Sequence, residues 1–308
     1  MNLVSSPELP AASRWQMVQL PAPCPPPLLQ ALASWLAQSP PPRLMAGTPR
    51  STPAELLRAR LLGLPDADGQ VPWAALRALQ RGLDPAQSWG FVHPCHWALG
   101  ADHTRLEDPS TLALDEAASR ALLDAMHPYF AGDGLTLEFD TPARWLVHGE
   151  PLRGLRCTSL ARAIGQDVAG VQADTAGGTS ARWLLRLQSE MQMLLYQHPL
   201  HDARKAQGLA PVNSFWLDGT GTWPAGLAPR TPQIEEPALG TDPLALPAML
   251  NAITGAGTAI AVCGARGAAL FVPQADPPAS WTRRLRGMLS FPSRGARERA
   301  LLTLLQDL

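Results

Sequence analysis

The sequence predicts an α+β fold, with helices packed on a mixed or antiparallel sheet and a small helical region before it. Three observations predict it. From about residue 84 onward, strand-like alternation and helix-period stripes follow one another along the chain. The clearest stripe, in TSARWLLRLQSEMQMLLYQH, places Leu184, Leu187, Met191, Leu194 and Leu195 on one helical face. Apolar residues make up 46 % and charged residues 17 % of 308, which is ample for a buried core.

The elements follow in order. Residues 1–50 are rich in proline and read as an arm or small cap carrying one helical stretch, Leu28 to Ala37, because the flanking prolines cannot remain helical. Two better helices follow: TPAELLRARLLG, with Thr52 as N-cap and Pro53 at the first helical position, and PWAALRALQRG, ending at Gly82. SWGFVHPCHWALGADHTRLED reads as an extended strand with a bend. STLALDEAASRALLDAMHPYFAGDG is a helix with apolar Ala118, Leu122, Ala125 and Met126, expected to stop near Pro128. LTLEFDTPARWLVHG reads as a strand or strand pair interrupted at Pro142. The long helix after residue 180 should end before Pro199, since the residue before a proline avoids helical geometry. VNSFWLDG then reads as a buried strand, GTAIAVCGARGAALFVP as a hairpin or strand pair about Gly264 to Gly267, and ARERALLTLLQDL as a final helix. The expected division is residues 1–83, arm and small helical region, and residues 84–308, the α+β domain.

Charge and composition narrow the function. A net charge of −1 gives no long-range field, so nucleic acid and anionic membranes are not favoured partners. The N-terminal residues lack a charged segment followed by an apolar run, and no window approaches the roughly 20 apolar residues that span a bilayer, so a cytoplasmic protein is expected. The four cysteines are isolated, without a C-x-x-C pair, and read as reduced and largely buried.

The densest run of polar chemistry is HPLHDARKAQGLAPVNSFWLDGTG, residues 198–221. Its candidate ligand-binding residues are His198, His201, Arg204, Asn213, Ser214, Asp218, Gly219 and Gly221. Arg204 offers a bidentate fork for a planar anion, and glycines after a strand let backbone N–H groups approach one. The competing reading is structural. His198 and Arg204 would satisfy carbonyls at a helix end, Asn213 would tie the loop to the sheet, and the glycines would make an ordinary turn, since TWPAGLAP rather than a helix follows them. A second cluster, HPCHWALGADH, offers His93, Cys95, His96, Asp102 and His103. His93, His96 and His103 are metal candidates only if a bend at Pro94 brings them together, because His93 and His96 face opposite sides of a regular strand. No G-x-S-x-G is present, and Ser214 has no base assignable from sequence. Arg283, Arg284, Arg286, Arg294, Arg297 and Arg299 form a basic run near the C-terminus that reads as a solvated face or a contact for an acidic partner.

Several segments carry a resemblance. ALRALQRGLDPAQSWGFVHPCHWALGADHTRLED, ARWLVHGE and LQSEMQMLLYQHPLHDARKAQGLAPVNSFWLDGTG resemble the proteobacterial RpfE-type regulatory proteins over residues 72 to 222. The segment from LDEAASRALLDAMHPYF through RWLV to the 198–221 run also resembles the lobe inserted into archaeal-type cofactor-independent phosphoglycerate mutases. In such enzymes the chemistry sits on a two-metal core. Here residues 1–50 hold a single acid, Glu8, and no histidine follows His201, so the resemblance implies the lobe without the metal core.

The resulting expectation is a non-catalytic regulatory or ligand-binding protein that needs no cofactor and takes a small anionic ligand or a protein partner. Its rivals are an enzyme acting on a phosphate ester through His198, His201 and Arg204, and an adaptor that binds protein through the proline-rich arm or the arginine-rich tail.

Overall fold

A computed structural model describes residues 14–39, 42–171, 173–175, 181–228, 230–237, 248, 250–251, 258–272 and 294–308. The initial run MNLVSSPELPAAS and the arginines Arg283, Arg284 and Arg286 lie outside the described residues. The architecture is α+β, with several sheets and helices packed on them. The chain forms two compact units: residues 1–48, 52–63 and 230–308, and residues 49–51 and 64–229. This division differs from a single cut at residue 84. The N-terminal segment pairs with strands from the C-terminal segment, and local patterning carries no information about pairing partners so distant in sequence.

In the first unit, β1 (Arg14–Gln19) runs parallel both to β11 (Gln233–Glu235) and to β12 (Thr258–Cys263). β12 turns into antiparallel β13 (Gly267–Phe271), the expected hairpin, and β2 (Arg43–Ala46) completes the sheet. The proline-rich segment read as an arm therefore supplies two strands. Its WQMV core shows no alternation because strands in the parallel part of a sheet are covered on both faces; all four residues are buried. Helix α1 (Pro26–Leu36) starts with Pro26 at its first position and buries Leu28, Leu32 and Leu36 in a cluster with Val18, Ile260 and Leu305 of the C-terminal helix (Arg294–Asp307). Helix α2 (Pro53–Leu62) opens with a capping box: the Glu55 amide donates to the Thr52 hydroxyl (3.2 Å) and the Thr52 amide to the Glu55 carboxylate (2.7 Å).

In the second unit, an antiparallel sheet has the order β10 (Ser214–Thr222), β3 (Ser88–Cys95), β7 (Arg144–His148), β6 (Thr136–Thr141). Residue parity assigns its faces. Val92, Trp145, Val147, Phe215 and Leu217 join the main core with Leu122, Met126 and Phe130 of α4 (Glu116–Gly132) and Leu187, Met191 and Leu195 of α6 (Arg182–Tyr196). Trp89, Phe91 and Leu146 face the other way, onto α3 (Trp73–Gln80). Helix α4 runs through Pro128 to Gly132 instead of stopping there. Proline forfeits one backbone hydrogen bond, but ending the helix would remove Phe130, which is 1 % exposed and stacks against Phe215 at 5.1 Å, from the core. The expected strand pair over residues 135–149 is the β6–β7 hairpin. Its buried Asp140 accepts from Arg77 (2.8 Å) and Arg144 (2.8 Å).

Candidate functional site

The run from residue 198 to 221 begins where α6 ends, passes through a short helix not expected from sequence, α7 (Leu200–Ala206), and enters β10. Pro199 stops α6 but serves as the N-cap of the next helix, so the loop read between residues 198 and 213 is half helical.

Most of the polar side chains in this run hold the junction together. His198 Nδ1 accepts from the Leu200 amide at 3.2 Å. Arg204 is 5 % exposed; its guanidinium donates to the Ala210 carbonyl (2.9 Å) and the Leu112 carbonyl (2.7 Å), and burial lowers its pKa against the opposing pull of Asp115. Asn213 clamps Trp97 from both sides, accepting from its amide (2.7 Å) and donating to its carbonyl (3.0 Å). The Ser214 hydroxyl is buried without a hydrogen-bond partner, so no base activates it. His201 lies beside His198, ring centroids 6.3 Å apart, with both ring nitrogens shielded from water near the Leu195 and Val212 backbone. Burial first, then the neighbouring His198 and Arg204, push its pKa below the ordinary value and keep it neutral.

The glycines form a bulge inside β10 rather than a turn after it: the register to β3 shifts between Asp218 and Gly221, and the strand continues to Thr222. Gly219 sits at φ +60°, and a Cβ there would lie 2.7 Å from Phe91 Cδ2, so its backbone is packed against an aromatic ring. Thr220 donates to the Leu155 carbonyl at 2.8 Å.

The structure joins one residue from each of the two sequence clusters. His93 Nε2 lies 3.0 Å from Asp218 Oδ1, both side chains being about one-tenth exposed, and Asp218 Oδ2 accepts the Leu160 amide at 2.6 Å. Trp216 is the residue opposite His93, so Asp218 is its diagonal neighbour on the same face of the sheet. His96 turns instead to the Pro211 carbonyl, 2.9 Å from Nδ1. Among the described residues no group of three or more His, Cys, Asp or Glu side chains is placed to hold a metal ion. Cys24 is half-buried and the other three thiols are buried: burial drives Cys95 upward and pushes Cys157 and Cys263 up to about 12, which leaves these three protonated and poorly nucleophilic at neutral pH.

An open groove of about 480 Å³ lies beside this junction. Its floor includes Trp97 and Asn213. One wall is the hairpin of β4 (Trp97–Leu99) and β5 (Thr104–Leu106), with His103 at the tip; another is the 167–169 segment, tied to β5 through the Arg105–Asp167 bridge; α6 contributes Tyr196. Beneath it, Cys95, Leu106, Ala163, Val168 and Trp216 pack into a small core with Trp97, which fixes the hairpin to the sheet. Two large apolar residues of the lining stand in water, Leu99 at 86 % and Tyr196 at 84 % exposure, and Met193, one position from the lining residue Gln192, is 76 % exposed. Among the described residues the lining contains the carboxylates of Asp102 and Asp167 and no arginine or lysine. Of the eight residues expected to bind ligand, Asn213 alone lines this groove, and of the three histidines proposed as metal ligands, His103 alone. Sequence reasoning missed the groove because its walls come from four separated segments. The one available signal was the exposed second stripe of α6, Leu185, Met193 and Tyr196 at spacings of eight and three.

No helix among the described residues is long and apolar enough to cross a membrane. No protein-family model matches the chain, and no curated protein does. Among solved structures, the chain is similar to the cofactor-independent phosphoglycerate mutase of Thermoplasma acidophilum, at 12 % identity and a TM-score of 0.38, with 96 % of this chain and 99 % of that chain covered. It is also similar to the PH0037 protein of Pyrococcus horikoshii, at 11 % identity and a TM-score of 0.37 over 85 % and 87 % of the two chains. Both likenesses are distant and assign no activity to this chain.

Proposed function

We propose that the chain is a non-catalytic binding protein, regulatory in role, that engages its partner through the groove between the β4–β5 hairpin, the 167–169 segment and the end of α6. The observation that carries this reading is the exposure of Leu99 and Tyr196 on the lining of one concave surface. Exposed apolar residues are common singly, but paired across a groove they mark a surface that gains when water leaves it. The groups expected to perform chemistry support the same reading. Arg204 and Asn213 are committed to backbone atoms, His93 is held by Asp218, and the buried thiols are kept protonated.

The alternatives separate in one set of measurements. Purified protein supplied with manganese or magnesium should show no turnover of phosphoglycerates or of a generic phosphate ester; metal-dependent turnover would establish the enzyme reading instead. Thermal shifts with phosphoglycerates and nucleotides test the small-anion reading, because only a ligand that binds the folded state raises the midpoint. The groove reading predicts no shift with these anions. A shift abolished by Arg204→Ala would return the site to the 198–221 run.

A further inference from the structure

The groove differs from an anion site in the sign of its charge. Asp102 and Asp167 both line it, both are exposed, and neither is in an ion pair among the described residues. One oxygen of Asp167 accepts the Ala169 amide at 3.3 Å, which orients the carboxylate without neutralising it. Arg105, the neighbouring cation on the hairpin, is not part of the lining; its guanidinium lies 3.4 Å from His103 Nε2. Apolar surface from Leu99 and Tyr196 therefore sits in the same concavity as two exposed carboxylates that form no ion pair among the described residues.

We infer that the groove takes a cationic, partly apolar peptide segment of a partner protein, its aliphatic side chains against Leu99 and Tyr196 and its arginine or lysine groups facing Asp102 and Asp167. This inference rests on the groove being the binding surface and adds the chemistry of the occupant. Three features select such a segment. The concavity has room for a few side chains rather than for a folded domain. It is open to solvent rather than enclosed, so an extended chain can reach it. Its charge attracts cations and repels phosphates and acidic peptides, which contribute less to affinity than to the choice of partner. Tyr196 suits the role because its ring presents an apolar face to aliphatic and cationic groups alike while its hydroxyl remains in water.

The test is fluorescence polarisation with three labelled nonapeptides of equal leucine content, in which the remaining positions are arginine, serine or glutamate. The arginine peptide should bind the full-length protein, with an affinity that falls as salt is raised from 50 to 300 mM, because the charges involved are exposed and screened. The glutamate peptide should not bind. Asp102→Asn with Asp167→Asn should weaken the arginine peptide about tenfold, the expectation for two exposed charge contacts, and leave the serine peptide unaffected. Leu99→Ser with Tyr196→Ser should abolish binding of every peptide. These four residues carry no core contacts, so the folded state of each variant is confirmed by an unchanged melting midpoint. Equal binding of the arginine and serine peptides, or an arginine affinity untouched by the double Asp→Asn change, overturns the inference and leaves the groove reading standing. Binding of no peptide, or binding that ignores the Leu99 and Tyr196 substitutions, overturns both.

Discussion

His93 and Asp218, 125 residues apart in sequence, meet as a buried pair with 3.0 Å between Nε2 and Oδ1. The carboxylate has a second task, since its other oxygen accepts the Leu160 amide and anchors the start of α5 (Leu160–Ala163) to β10. Asp218→Ala should therefore cost about 2 to 3 kcal/mol, because it strands a buried imidazole and an amide together. Asp218→Asn should cost less, since its amide oxygen can still take one of the two donors. Urea denaturation of Asp218→Ala, of His93→Phe and of the variant carrying both changes completes a double-mutant cycle. Coupling indistinguishable from zero between residues 93 and 218 would show that the pair is incidental.

Arg204 illustrates a residue whose type suggested one role and whose burial assigns it another. With its guanidinium on the Leu112 and Ala210 carbonyls, Arg204→Met should destabilise the protein by about 2 kcal/mol through two unsatisfied carbonyls. Binding at the groove should be unchanged. A variant of wild-type stability, read from the urea midpoint, would contradict the clamp.

Gly219 yields a sharper prediction. An alanine there must adopt φ +60° and place its methyl group 2.7 Å from Phe91 Cδ2, so backbone strain and a clash add together. Gly219→Ala should lower stability by about 2 kcal/mol or more, and Gly208→Ala, also at positive φ but with open space around it, by less. Equal losses at the two positions would remove the packing part of the argument.

His201 makes stability depend on pH. Its folded-state pKa lies below the ordinary 6.5, so the unfolded chain binds the proton more readily. The contribution of neutral His201 is complete above about pH 6.5 and is lost as the pH falls from there through the folded value. The urea midpoint should drop between pH 7.5 and 5.5, and His201→Gln should flatten that drop. A variant with the wild-type slope would place the titration elsewhere.

Much of the fold was legible in the sequence. The stripe of α6, the Thr52 capping box and the hairpin about Gly264 to Gly267 all depend on residues near one another in the chain, which is where periodicity and capping rules operate. β1 was not legible, because a strand covered on both faces loses the alternation that identifies it, and its partners lie more than 200 residues away. α4 beyond Pro128 was hidden by a local rule that tertiary packing of Phe130 overrode. The site was less legible still. Its residue types suggested ligands, and burial puts Arg204 on the Leu112 and Ala210 carbonyls and Asn213 on the Trp97 backbone, whereas the groove depends on Leu99, Asp167 and Tyr196, which only the fold brings together.

The central claim is that binding occurs at the groove and not at the 198–221 junction. Hydrogen–deuterium exchange of the full-length protein, with and without the arginine–leucine nonapeptide, tests it most directly. The account predicts slowed exchange confined to the amides of residues 97–104, 167–169 and 192–196. Protection centred on residues 200–210 and 217–221, with the β4–β5 hairpin unchanged, would contradict it.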